Sequence, residues 1–224
     1  MSKIVKQKSY LTSQELVLSS PNSKGYYVFK RIIDVMGALF GLISLSFVFA
    51  IIAILIKLED PKGKVFFKQI RIGKDGKEFF MYKFRSMVAD AEEKLHQLLV
   101  HNEIEGAMFK MKEDPRITKV GRFIRKTSVD ELPQLFNVLK GEMSLVGPRP
   151  PLPREVDEYT DYEKQRLTAV PGCTGLWQVS GRSSIGFKEM VDLDLMYIQK
   201  KSILFDMKII LKTVRVMFGS KDAF

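Results

Sequence analysis

The alternation of apolar and polar positions divides the chain into segments of different character. From Val35 to Ile56 run 22 consecutive residues without a charge. A straight helix of that length would measure ~33 Å, about one bilayer hydrocarbon core. The run starts late and lacks a small-residue cleavage site, which excludes a signal peptide. Upstream, residues 1–28 are polar without sustained periodicity and are expected to form a mobile tail. Downstream, Asp60-Pro61-Lys62-Gly63 is a turn signal. Val65 to Arg71 and Glu78 to Phe84 are β-prone, and Lys74-Asp75-Gly76 between them predicts a hairpin. Met87, Ala91, Leu95, Leu98 and Leu99 recur at helical spacing, predicting a surface helix to about Glu103. Further helices are expected over about Pro153 to Arg166 and Phe187 to Ile198. Near the C-terminus, Met207, Ile210, Leu211, Val214, Met217 and Phe218 form one helical face, and Lys208, Lys212 and Arg215 another. Such a helix fits an anionic membrane surface or the protein core equally well.

Charge changes the picture of the apolar run. Lys3, Lys6, Lys8, Lys24, Lys30 and Arg31 precede it, and nine basic residues against four acidic ones follow between Lys57 and Arg85. A spanning helix shows a basic bias on one side. Two basic flanks predict instead a segment that enters and leaves on the same face, bending near Gly37, Gly41, Ser44 or Ser46, where serine hydroxyls can satisfy freed carbonyls. Asp34, at the mouth of the run, is expected to pair with a cation such as Arg31.

The whole chain of 224 residues carries a formal charge of +10, which points to polyanionic partners. Cys173 is its only cysteine and cannot form an intramolecular disulfide. His96 and His101 are its only histidines and do not share a helical face. This disfavours a histidine-centred metal site and a Ser-His hydrolase, and no cysteine cluster offers zinc ligands. The basic surface also lacks the interleaved aromatics of nucleic-acid binders.

Chemistry concentrates between Asp114 and Arg154. Eight basic residues there surround Asp130 and Glu131, in the run Arg125-Lys126-Thr127-Ser128-Val129-Asp130-Glu131. Ser128 and Glu131 have the spacing of a capping box, which by itself accounts for Glu131. A carboxylate beside Arg125 and Lys126 also stays ionised, as a nucleophile must. Magnesium binds through one or two carboxylates and leaves positions for water and phosphate. Adjacent Asp and Glu can thus divide attack on phosphorus from metal holding or proton movement, while arginines stabilise phosphoryl oxygens.

The run Thr127-Ser-Val-Asp-Glu-Leu-Pro-Gln-Leu-Phe-Asn-Val-Leu-Lys-Gly-Glu-Met-Ser-Leu-Val-Gly-Pro-Arg-Pro150 closely resembles the bacterial sugar transferase family, the monotopic phosphoglycosyl transferases. The resemblance extends through Lys30-Arg-Ile-Ile-Asp34, Tyr82-Lys-Phe-Arg-Ser-Met87, Asp114-Pro-Arg-Ile-Thr-Lys-Val-Gly-Arg122, Pro171-Gly-Cys-Thr-Gly-Leu-Trp-Gln-Val-Ser-Gly-Arg182 and Asp194-Leu-Met-Tyr197. It covers roughly residues 28–218.

The resemblance implies transfer of a sugar 1-phosphate, a hexose 1-phosphate by preference, from a UDP-sugar to undecaprenyl phosphate. UMP is released and a covalent phosphosugar–aspartyl intermediate forms, in the first membrane step of exopolysaccharide or capsule assembly. Carried over, Asp130 is the nucleophile, with Glu131 as its partner in binding Mg2+ and activating the acceptor. Arg125 and Arg149 match arginines that contact phosphate. Lys83, Arg85 and Arg182 complete the candidate substrate- and phosphate-binding set. Asp192, Asp194 and Tyr197 are expected to serve structure or positioning, and Cys173 and Trp177 packing.

The fold class expected is α+β and mostly helical. It comprises a re-entrant membrane helix (29–58), a small β-hairpin and interfacial amphipathic helices around a catalytic core (59–224) on the cytoplasmic face of the bacterial inner membrane. A homodimer is compatible with the sequence. Family members commonly carry Ser-Pro midway along the membrane run. This chain has Ser46-Phe47, so any break there must rest on its glycines and serines. The competing reading is a membrane-tethered basic binding or scaffold protein without catalysis, which the intact Asp-Glu pair disfavours.

Overall fold

The computed structural model describes residues 24–98, 100, 111, 113–181 and 185–219, without the side chains of residues 92, 96 and 217–219. Most of the expected N-terminal tail, the end of the helix expected to reach Glu103, and Arg182 lie outside the described residues. The fold is α+β and mostly helical, with two small sheets.

The apolar run forms two helices, α1 (Lys24–Ser44) and α2 (Ser46–Glu59). Helix α1 begins within the segment assigned to the tail. Among the described residues no single helix is long and apolar enough to cross a membrane, although the pair passes that test together, bent by 59°. The bend lies at Leu45, whose φ of −98° and ψ of 9° leave the helical region. Ser44 Oγ donates to the Phe40 carbonyl at 2.7 Å, a back-bond that favours bending and requires no proline. Gly37 and Gly41 do other work than expected. A Cβ there would collide with Leu145 and Leu135, so these glycines admit neighbouring elements close to α1.

Strands β1 (Phe66–Ile72) and β2 (Glu78–Phe84) form the expected antiparallel hairpin, with Phe67 opposite Lys83 and Arg71 opposite Phe79. Its turn places Asp75 and Gly76 at positive φ, tolerated by these residue types. A short helix α3 (Ala91–Leu98) follows, then α4 (Lys119–Lys126), α5 (Gln134–Lys140) and β3 (Ser144–Val146). The helix expected over Pro153 to Arg166 is broken into α6 (Pro153–Asp157) and α7 (Asp161–Lys164), because Thr160 and Glu163 form a capping box that starts a new helix. Strand β4 (Gly172–Thr174) lies parallel to β3, and α8 (Phe187–Lys200) and α9 (Ile203–Gly219) complete the chain.

Charged groups on α1 and α2 tie this pair to the rest. Arg31 donates to the Val138 and Leu139 carbonyls at 2.6 and 2.7 Å, capping α5, where a cation suits the negative end of the helix dipole. Asp34 is therefore not paired with Arg31; its Oδ1 accepts from Ser144 Oγ and the Leu145 amide at 3.0 and 2.9 Å. Lys30 and Tyr26 donate to Asp206, which also accepts from Tyr197 at 2.8 Å. Glu59 accepts from the amides of Lys119 and Val120, capping α4.

Helix α9 buries one edge and exposes the other. Ile209 and Asp206 are buried, while Leu204, Met207, Leu211 and Val214 remain exposed.

Asn137, fully buried, joins α5 to the free edge of β2. It donates to the Phe80 carbonyl and Glu142, and accepts from the Tyr82 amide. Asn137→Ala leaves these groups without partners and should cost about 2–4 kcal/mol, read as a lower thermal midpoint of the detergent-solubilised chain.

Candidate active site

The site is built on the chain reversal between α4 and α5. Thr118 Oγ1 accepts from the Gly121 amide at 2.9 Å to start α4. At its end Ser128 takes a left-handed conformation, φ 56°, and Val129–Glu131 form a single 3-10 turn. Ser128 makes no side-chain capping bond, so the capping box suggested by its spacing from Glu131 does not form. The left-handed residue ends one helical path before the next begins. Val129 and Leu132 pack against the cluster of Ile52, Ile56, Phe84 and Ile124. These anchors fix the two carboxylates between them.

Asp130 is buried and Glu131 is not: its side chain is 42 % exposed, and Oε1 accepts from Lys83 Nζ at 2.6 Å. Burial pushes the Asp130 carboxyl up to about 6; Lys83 and Arg125 pull it down, while Glu131 pushes it further up. The cations thus offset only part of the burial, and Asp130 ionises above about pH 6 rather than throughout the usual carboxylate range. Partial burial also works against ionisation of Glu131, but Lys83, Arg149 and Arg71 outweigh it and hold its pKa below the ordinary value. One carboxylate is dry and weakly stabilised as an anion; its neighbour is firmly ionised at the surface.

The fold brings most of the sequence-predicted residues to this place. Lys83 reaches Glu131 from β2. Arg125, at the exposed end of α4, acts on Asp130 through its charge, and Arg149 acts likewise on Glu131 from the Gly147–Pro151 loop. Arg85 is committed elsewhere: its Nη1 binds Asp60 Oδ2 at 2.7 Å and covers Gly63, tying the hairpin to the end of α2. Asp194 forms a buried ion pair with Arg166 at 2.6 Å, and Tyr197 donates to the Val146 carbonyl and Asp206. Cys173 packs against the cluster around Met81 and Val138, and burial pushes its thiol pKa well up.

Sequence reading missed Arg71, which is buried on β1, and Arg166. For Arg71 the signal was available. It shares strand parity with Phe67, which the hairpin register sets opposite Lys83, and an arginine on an inward strand face calls for a partner or a task.

Among the described residues no group of three or more His, Cys, Asp or Glu side chains could hold a metal. The donor set of Asp130 and Glu131 nevertheless fits magnesium, which needs only one or two carboxylates when water and substrate phosphate supply the rest. Glu131 Oε2 has no hydrogen-bond donor among the described residues.

The arrangement suits phosphoryl chemistry: an ionisable buried carboxylate, a second one beside it, and Lys83, Arg125, Arg149 and Arg71 around them.

Comparison with known proteins agrees with the geometry. The chain is 50 % identical over 195 residues to the galactosyl transferase CpsE of Streptococcus agalactiae, covering 86 % of this chain and 42 % of that protein. It is 48 % identical over 172 residues to an undecaprenyl-phosphate galactose phosphotransferase of Salmonella typhimurium, covering 75 % and 36 %. It is 39 % identical over 199 residues to the exopolysaccharide production protein ExoY of Sinorhizobium fredii, covering 87 % and 88 %. The chain therefore spans less than half the length of the first two relatives and most of the third. The family model described as bacterial sugar transferase matches residues 25–220. With that match running from the start of α1 through α9, the chain belongs to the bacterial sugar transferase family.

Proposed function

We propose that this chain transfers a sugar 1-phosphate from a UDP-sugar to undecaprenyl phosphate, with Asp130 as nucleophile. The observation that carries this reading is the pairing of a buried Asp130 with a lysine-bound Glu131 among arginines. The name of the Salmonella typhimurium relative supports the acceptor, and that of ExoY supports a place in exopolysaccharide production.

An Asp130 oxygen attacks the phosphorus that carries the sugar, and the bond from that phosphorus to the bridging oxygen breaks. UMP departs, leaving an aspartyl phosphosugar. An oxygen of the polyprenyl phosphate then attacks the same phosphorus and expels the Asp130 carboxylate. The products are UMP and a polyprenyl diphosphate sugar, and the enzyme is restored. Burial strips Asp130 of the water that would dull its attack. Arg125 and Arg149 bind phosphate oxygens, and Lys83 keeps Glu131 ionised and oriented. Mg2+ held by Asp130 and Glu131 would neutralise charge on the diphosphate.

The bent pair supports a site at a membrane surface. Twelve large apolar side chains of α1 and α2 are exposed, from Tyr27 to Leu58, far more than a water-facing surface carries. We assign this face to the cytoplasmic leaflet, with both helices entering from one side. Cysteines introduced at Lys24 and Lys62 should then both react with an impermeant maleimide from the cytoplasmic side alone, while Cys173 stays silent. Labelling from opposite sides would establish a span.

The chemistry is tested by UMP release from a panel of UDP-sugars with undecaprenyl phosphate and magnesium. Asp130→Asn should lower turnover by on the order of 10³-fold or more, and Glu131→Gln by about 10²-fold. Full activity in Asp130→Asn would remove the nucleophile assignment.

Because Asp130 must lose its proton to attack and its carboxyl is raised to about 6, kcat/KM should fall as pH drops through that value. Lys83 is the strongest influence lowering that pKa. Lys83→Gln should therefore move the acid limb to higher pH, and an unmoved limb would separate Asp130 from the pH profile.

A further inference from the structure

The loop that carries Arg149 cannot hold itself. Pro148, Pro150 and Pro151 supply no N–H, yet four consecutive carbonyls of the loop are bonded from outside. Pro148 accepts from the Gly172 amide at 2.9 Å, Arg149 from Arg166 Nη2 at 3.3 Å, Pro150 from Arg71 Nη1 at 3.0 Å and Pro151 from the Ile72 amide at 2.9 Å. Backbone packs on backbone here, since a Cβ on Gly147 or Gly172 would collide with the opposite chain.

The two guanidiniums in this clamp differ. Arg166 is neutralised by Asp194, which accepts from its Nε and Nη2. Arg71 is 4 % exposed and bonds two neutral acceptors, the Pro150 carbonyl and Gln69 Oε1 at 2.8 Å, while its Nε is buried without a partner. Among the described residues no carboxylate forms an ion pair with it. A buried cation lacking such a partner is costly, so ion pairing does not account for Arg71. What its fork does accomplish is to fix the peptide immediately after Arg149, from a hairpin whose second strand carries Lys83, the residue that binds Glu131.

We propose that Arg71 is a positioning residue of the donor site: by holding the Pro150 carbonyl it aims Arg149 at the diphosphate of the nucleotide sugar. Arg71 acts through Arg149 and makes no contact with substrate. The inference rests on the reading of Arg149 as a phosphate contact.

The test is a double-mutant cycle on the full chain in detergent, with UDP as probe in the presence of magnesium, binding measured by calorimetry and the thermal midpoint followed in parallel. Arg149→Gln and Arg71→Gln should each weaken UDP binding about tenfold or more, and the double variant should be no weaker than the worse single within a factor of about two. Arg71→Lys, which keeps a donor and the charge, should fall between wild type and Arg71→Gln. In sugar transfer, the Arg71 variants should raise KM for the UDP-sugar more than they lower kcat.

Losses that multiply in the double variant would show that Arg71 acts independently and would overturn the inference, as would a general loosening that weakens UDP binding equally in the Arg149→Gln background. Unchanged binding in both Arg71 variants, with Arg149→Gln impaired, would overturn the inference alone. Unchanged binding in Arg149→Gln would overturn the phosphate-contact reading together with it, and so would a wild type that binds no UDP.

Discussion

The structure depends on an inversion of the usual helix pattern. Helices α1 and α2 turn apolar side chains outward and use charged ones to grip the protein behind them. Lys30, Arg31, Asp34, Glu59 and Asp60 each bind a different partner: α9, the end of α5, β3, the start of α4 and Arg85 after the hairpin. Charges at the edge of an apolar segment are expensive unless paired, and here each pairing also locates an element. Helix α4 leads directly to the turn that carries Asp130 and Glu131 and α5 leaves it, so the carboxylates inherit their position from the outward-facing apolar pair. The sequence division at residue 58 separates compositions, while the bonding runs across it.

Within the site, the two neighbouring carboxylates are separated by environment. The turn buries Asp130 and sends Glu131 outward onto Lys83. Four basic side chains surround two carboxylates, one of which resists ionisation. The resulting excess of positive charge favours an anionic ligand. The buried carboxylate is poorly solvated, and its basic neighbours keep it available as an anion at neutral pH.

Much of this was legible in the chain. The apolar run, the hairpin and α8 followed from periodicity and turn chemistry, and the Asp-Glu pair among arginines marked the candidate site. Where the reading failed, long-range packing had overridden a local rule. Ser128 and Glu131 had the spacing of a cap, but the tertiary anchors Val129 and Leu132 impose a different path. Gly37 and Gly41 looked like hinges because their close neighbours, Leu145 and Leu135, are a hundred residues away. Arg85 looked like a phosphate ligand until the fold brought Asp60 to it. Strand parity marked Arg71 as an inward residue, but its task, gripping one carbonyl of a proline-rich loop, shows only in the folded chain. The bend at Leu45 needs no proline because a serine back-bond can open a helix as well.

The left-handed residue Ser128 has a geometric consequence for the charge around Asp130. On an uninterrupted α-helix, residues five apart lie ~140° apart around the axis and face different surroundings. Arg125 and Asp130 would then look away from each other. One residue of opposite hand ends the screw of α4, and the chain restarts with Asp130 within reach of the Arg125 charge. Such a step costs about 1–2 kcal/mol for a residue other than glycine. That strain is the means by which a cation and a buried carboxylate, near in sequence, come to act on each other through their charges.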